Sequence, residues 1–481
     1  MRKSWAFLAL ALCLAAVSAV AELQNVEVSG QIRIRGNYIT NWSANPPALR
    51  YSPLFTAGRP IGGPFAPAIL SPYKWDRQGP DYSAIEQRTR LGIKGDFTND
   101  VSTFIEFDSY NNWGTNFRSN YLTGIDTRGA ADVDLFQAYI NVDKMWGTPL
   151  SLRVGRQELA FGSQWLVGPR DFGFFWTGIS FDAIRATYKG DTFTVDAWAA
   201  KLAESMGNWG KGDTDFYGVY ASCKALENQT FDAYWMLLRD NTVGSGDTML
   251  NTAGLRAAGK FSCGFDYDAE VAYQFGPADK VGFTFGTDDA KWDVWGAKLD
   301  LGYNIDTVLQ PRVFVSGRYY GGEDNRDISF CDWLNPFNEP RASVSFNRLF
   351  SNEISNGFLD LTNDLSNAWW ARLGVVIAPV ECVHTVIAVT HYESVAGFDR
   401  PVAPLLTFLT KSNSKDLGWE FFIFNEYQYS PDLTFEFGWS HLFVGDGLKQ
   451  GNFSTNNGLV FNGGSGSADS DYFYGGMKIR F

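Results

Sequence analysis

One pattern constrains this chain more than any other: apolar and polar residues alternate with a period of two, over and over. In the first such stretch Val26, Val28, Ile32, Ile34 and Tyr38 fall on one face, and Glu27, Gln31, Arg33, Arg35 and Asn37 on the other. In the next, Ile85, Thr89, Leu91, Ile93 and Phe97 oppose Glu86, Arg88, Arg90, Lys94 and Asp96. Period two is the signature of a strand with unlike environments on its two faces. Eighteen such stretches are legible, at about 23–40, 84–97, 101–112, 131–143, 149–160, 178–189, 192–202, 213–225, 229–240, 250–262, 264–276, 290–304, 310–320, 366–379, 382–394, 415–430, 432–445 and 469–481. The connections between them alternate long and short. Short ones include Thr98-Asn99-Asp100, Gly190-Asp191 and Ser430-Pro431-Asp432; long ones include 41–83, 161–177 and 321–365. Strands of this length with unequal connections describe a transmembrane barrel, with short periplasmic turns, long extracellular loops, an apolar outer wall and a polar lumen. Closure satisfies every backbone group where the lipid offers no water. The fold class predicted is all-β, a transmembrane antiparallel β-barrel of about 18 strands.

Composition agrees. The 481 residues are 16% aromatic and only 19% charged, with 49 glycines, so the chain has too much apolar surface and too little charge for disorder. A net charge of −13 without a Lys/Arg run argues against nucleic acid as a partner. Nowhere do 18 apolar residues follow one another, which excludes a helical membrane protein. Arg2 and Lys3, the apolar run Trp5–Ala16 and Ala19-Val20-Ala21 read as a signal peptide over 1–21, leaving 22–481 as a single barrel domain in the bacterial outer membrane. Of the five cysteines, Cys223, Cys263, Cys331 and Cys382 lie beyond that leader, match no metal or haem spacing, and read as buried or unpaired thiols. No cofactor motif is present. The last stretch alternates Phe473, Gly475, Met477, Ile479 and Phe481 with polar residues and resembles the strand that barrel-assembly machinery reads. The outer face shows no polar seam, so a monomer surrounded by outer-membrane lipid is expected.

Function should reside on the lumenal face. Parity places Arg33, Arg35, Arg88, Arg90, Arg153, Arg185, Arg312, Arg318 and Arg372 there, with acids in near balance, among them Glu27, Glu86, Asp266, Asp268 and Glu270. Arg33, Arg35, Arg88 and Arg90 sit midway along two hairpin neighbours, so four guanidiniums share one patch. At about 6 Å and an effective dielectric near 20, one like-charge pair costs roughly 3 kcal/mol. Such a patch needs either an anionic ligand, which would make it a constriction attracting anions, or carboxylates from the wall or from an infolded loop. The three histidines, His384, His391 and His441, come with no nucleophile motif and suit the membrane interface better than catalysis. The acidic pairs near Asp288-Asp289 and Glu323-Asp324 lack calcium-loop spacing.

The run Leu152-Arg153-Val154-Gly155-Arg156-Gln157-Glu158, followed by Leu166-Val167-Gly168-Pro169-Arg170, resembles the alginate export porin family. So do Gln87-Arg88-Thr89-Arg90-Leu91-Gly92, Phe181-Asp182-Ala183-Ile184-Arg185 and Phe346-Asn347-Arg348-Leu349-Phe350. The resemblance implies an 18-stranded barrel with an arginine-lined constriction for an anionic uronate polysaccharide. It carries that role to Arg88, Arg90, Arg153, Arg156, Arg185 and Arg372. Parity with Leu152 and Val154 nevertheless points Arg156 outward, so that role needs a bulge or a place above the lipid. The leading expectation is a passive channel for an acidic polysaccharide or oligosaccharide and not an enzyme. The alternatives are a general small-solute porin, or a structural or adhesive barrel plugged by 41–83 and 321–365.

Overall fold

In a computed structural model, the residues described are 22–41, 81–114, 133–171, 176–204, 212–241, 248–277, 291–322, 343–353, 358–360, 365–396, 414–449 and 469–481. The predicted leader 1–21, Cys331, both acidic pairs named above and most of 41–83 lie outside them. The first strands are β1 (Leu23–Ile39), β2 (Tyr82–Phe97), β3 (Val101–Asn112), β4 (Asp134–Val142), β5 (Leu150–Gln157) and β6 (Phe181–Lys189). Next come β7 (Phe193–Ala203), β8 (Thr214–Cys223), β9 (Gln229–Asp240), β10 (Thr248–Lys260), β11 (Phe265–Pro277), β12 (Lys291–Asn304) and β13 (Arg312–Tyr320). Then follow β14 (Ser343–Val344), β15 (Ala368–Val380), β16 (Val383–Ser394), β17 (Asp416–Gln428), β18 (Leu433–Val444) and β19 (Ser470–Arg480). All pair in one sheet. β14 is a two-residue piece lying parallel to the upper end of β12, above the point where β13 stops. The other eighteen are the staves of a closed antiparallel barrel, and β1 pairs with both β2 and β19.

The alternation read from the sequence decides which way each side chain points. Val28, Ile93, Ile140, Ile184, Leu255, Trp295 and Leu373 stand exposed on the outer wall. Their neighbours along the strands turn inward. Short turns close the hairpins tightly: Asn99 and Asp100 both have positive φ, as the two central residues of the hairpin turn that matches strand twist require. At the seam Gly30 and Phe481 exchange backbone hydrogen bonds (2.8 and 3.1 Å), and the Phe481 ring covers Gly30. Among the described residues Cys223, Cys263 and Cys382 are free thiols.

The observed stave that corresponds to 149–160 is shorter than expected. It ends at Gln157, where the chain leaves the wall and turns into the lumen. Leu159, Phe161, Trp165, Leu166 and Val167 are buried there. They meet the infolded segment 345–353. Val167 bridges Phe350 in parallel, the Phe350 amide donates to the Leu166 carbonyl (2.8 Å), and the Asn352 amide donates to the Gln164 carbonyl (3.0 Å). Trp165 stacks on Tyr320 and Phe346, and its indole N–H donates to the Tyr320 hydroxyl (2.7 Å). Two loops thus form a packed crossbar inside the barrel, and the apolar core of the molecule lies there.

Candidate functional site

The β1–β2 register sets Arg33 directly opposite Arg88, Arg35 opposite Glu86, and Gln31 opposite Arg90. The four guanidiniums therefore do share one patch, as their spacing implies. What compensates them comes from two sources. Wall carboxylates supply the first: Glu436 of β18 accepts from Arg33 (3.0 Å), Glu86 from Arg35 (3.2 Å), and Asp108 of β3 lies 3.4 Å from Arg90. Glu86 also accepts from Asn37 (2.8 Å) and Tyr110 (2.7 Å).

The infolded segment after β5 supplies the second. Asp171 accepts from Arg88 (2.6 Å) and lies 3.4 Å from Arg90, while Glu158 lies 3.3 Å from Arg90. The carbonyls of Asp171 and Trp176 accept from Arg33 (3.2 Å) and Arg88 (2.8 Å). The indole of Trp176 spreads beneath the Arg33, Arg35 and Arg88 guanidiniums, 4.6, 5.2 and 5.6 Å from its centre. Gly178, at φ +80°, lets the backbone pass against Arg90, where any Cβ would collide with the guanidinium and with Phe136.

This origin separates the arginines. Among the described residues Asp171 is the only carboxylate on Arg88. Arg90 shares Asp171, Glu158 and Asp108. Both loop acids keep side-chain exposures of 27%, against 0–10% for Glu86, Asp108 and Glu436. Arg153 faces Arg185 across β5–β6 and has no carboxylate within ion-pair distance among the described residues. It donates to Asn141 (3.3 Å) and lies over the Tyr139 ring. Arg185 is held by Asp196 (2.9 Å) and Arg312 by Asp266 (2.6 Å). Arg318 is held by Asp300 (2.9 Å) and by Glu353 of the crossbar, and Arg372 donates to Thr390 (2.8 Å). Asp268 and Glu270 are likewise engaged, by Arg256, Lys298, Ser163 and Tyr234, so β11 presents no uncompensated acidic wall.

Nine of the ten arginines singled out from the sequence face the lumen. Arg156 does not. It keeps strict parity with Val154, stands on the outer face, and makes a two-pronged ion pair with Asp182 (2.8 and 3.0 Å). Gly155, at φ +129°, sits beside it without turning it inward. His391 and His441 also lie on the outer wall, among Trp369, Trp419, Trp439 and Phe443.

Sequence reasoning did not single out Asp171, Glu158, Trp176 or Gly178 as site residues. The available signal was the length of 161–177, long enough to fold in, with Gly168-Pro169-Arg170 inside it. Burial in the infolded segment pushes the Glu158 carboxyl up to about 7, with Asp171 adding to the rise and Arg90 opposing it.

A closed eighteen-stave barrel with a lipid-compatible outer wall and a charged lumen defines a channel of the porin type in the bacterial outer membrane. The sequence model described as alginate export matches residues 76–462, and the chain belongs to that family. Solved structures share the fold at low identity. The Pseudomonas aeruginosa protein OpdK, solved with vanillate, has a TM-score of 0.53 at 13% identity over 95% of this chain and 98% of that one. OccK3 (OpdO) of Pseudomonas aeruginosa gives 0.51 at 11% over 95% and 96%. OccAB2 of Acinetobacter baumannii gives 0.50 at 11% over 95% and 98%. No curated protein sequence matches the chain.

Proposed function

We propose that this channel passively conducts an anionic carbohydrate of the uronate type, and that Arg88, Arg90 and Arg153 are the guanidiniums the solute's carboxylates meet. One observation carries this reading: among the described residues, the carboxylates on Arg88 and, in part, Arg90 belong to an infolded segment and remain partly exposed, while Arg153 carries none. Guanidinium and carboxylate match in planar, two-pronged geometry. A uronate carboxylate can therefore exchange with Asp171 at little cost in charge, because one anion replaces another. Arg33, Arg35, Arg185, Arg312 and Arg318, with Arg372, set the depth and field of the lumen around that exchange site. Their wall partners do not leave. Weak contacts at successive guanidiniums favour passage over capture, as conduction demands. The family's described role, alginate export, agrees with this solute class. The same proposal takes the barrel to be a monomer and non-catalytic, with its Phe481 strand recognised during assembly.

The test is single-channel recording in a planar bilayer, with reversal potential under a salt gradient and titration of an oligouronate. Anion selectivity and oligouronate block are expected. Arg88→Gln with Arg90→Gln should weaken the block about 10- to 100-fold, the loss of one to two charge-assisted hydrogen bonds. A conducting but uronate-blind pore would make this a general small-solute porin. The crossbar favours one further reading, a plugged structural barrel, and silence from well-inserted protein would establish it.

A further inference from the structure

Below the crossbar, toward the short-turn end, the lumen holds a cavity of about 840 Å³ that the arginine cluster does not line. Its two sides differ in chemistry. One side is charged: Asp266, Asp268, Asp300, Arg312 and Arg318 of β11–β13, joined by Glu353 of the crossbar. These groups are already locked in pairs, Arg312 to Asp266 and Arg318 to Asp300, both two-pronged. The other side is largely apolar, with Phe314, Trp370, Val376, Val386, Ala388 and Phe422 of β13 and β15–β17 around Arg372, which donates to Thr390 (2.8 Å).

An apolar shelf in a water-filled lumen gains nothing from an ion or from a hydrated small solute. Pockets that combine a hydrophobic face with a few placed polar groups are built for organic ligands. Phe314 shows the arrangement most clearly. Its ring packs on β15 where Gly374 has no side chain, and any Cβ at 374 would strike it. The half-buried ring lines the cavity. The Arg312 guanidinium lies over the ring, 5.6 Å from its centroid.

We propose that this cavity is a saccharide subsite that reads the sugar ring rather than its carboxylate. A pyranose offers an apolar C–H face to Phe314 and the valines, and its hydroxyls both donate and accept. Asp266, Asp300 and Glu353 accept from them, and Arg312 and Arg318 donate. Because the β11–β13 charges are compensated in pairs, that side of the subsite has no preference for an anion. It rests on the carbohydrate reading above and extends it: the cluster selects charge, and the cavity selects ring.

The experiment uses the full barrel in a planar bilayer and a neutral β-1,4-linked mannan oligosaccharide, added to one side at a time. Block is expected from the short-turn side, at lower concentration than from the loop side. Phe314→Ala should weaken it at least 10-fold and Phe314→Tyr should retain it. The Arg88→Gln/Arg90→Gln channel, in which oligouronate block is weakened, should keep the neutral block. If Phe314→Ala does not insert, Phe314→Leu, which keeps bulk but lacks an aromatic face, gives the same reading. No block by the neutral sugar, or equal block in the Phe314 variants, overturns the subsite. Neutral block without oligouronate block would instead overturn the anionic reading and leave the subsite standing.

Discussion

Glu158 stands at the point where the chain leaves the wall, beside Arg90. Its charged neighbours are Arg90 and Asp171 at the ion-pair site, with Glu106 on β3. Two effects raise its carboxyl to about 7: removal from water, which disfavours the charged form, and the like charge of Asp171. The sign follows. Lowering the pH from 8 to 6 protonates Glu158, removes a negative charge beside Arg90, and leaves the cluster more positive. Anion selectivity, measured as reversal potential, should therefore rise on acidification, and Glu158→Gln should hold the acidic value at both pH values. An unchanged pH response in Glu158→Gln would assign the titration elsewhere. Gly178 matters at the same scale, since its positive φ and its contact with Arg90 both exclude a side chain.

The crossbar is the element that narrows the lumen, and its hold on the wall is specific. Gln274 of β11 donates to the Asn347 carbonyl (2.6 Å) and accepts from the Asn347 amide (2.7 Å). Glu420 of β17 accepts from the Phe358 and Leu359 amides. Arg348 is buried between Asp360 and Glu353, over the Tyr320 ring. Buried charges of this kind persist only when paired. Trp165 is the largest side chain packed in the crossbar and contacts both of its halves. Trp165→Ala should cost about 3–5 kcal/mol of local packing. The staves do not depend on that packing, so the barrel should keep its heat-modifiable migration while single-channel conductance rises. Unchanged conductance would show that ions do not pass the crossbar.

As a whole molecule, the barrel is held by stave pairing and by an outer wall that prefers lipid to water. Leu255, exposed outward in the middle of β10, tests this directly. Leu255→Arg should cost ~2–4 kcal/mol near the bilayer midplane, measured by urea unfolding from phospholipid vesicles. A loss below about 1 kcal/mol would place Leu255 near an interface instead.

Much of this architecture was written in the alternation itself. Because strand side chains repeat every two residues, the pattern dictated which residues face lipid and which face the lumen, and it located all eighteen staves with end errors of a few residues. It also put Arg156 outside, against the resemblance that would have placed it in the pore, and parity was the better guide because no bulge interrupts β5 there. The partners of the arginines were a different matter. Glu436 reaches Arg33 across 403 positions of sequence because β18 and β1 both flank β19 at the seam, and Asp171 reaches Arg88 because a loop folds back into the lumen. A local pattern carries the direction of a side chain but not the path of a loop. Whether four neighbouring guanidiniums form a bare patch or a compensated one was therefore decided only when the tertiary structure brought loop and wall together.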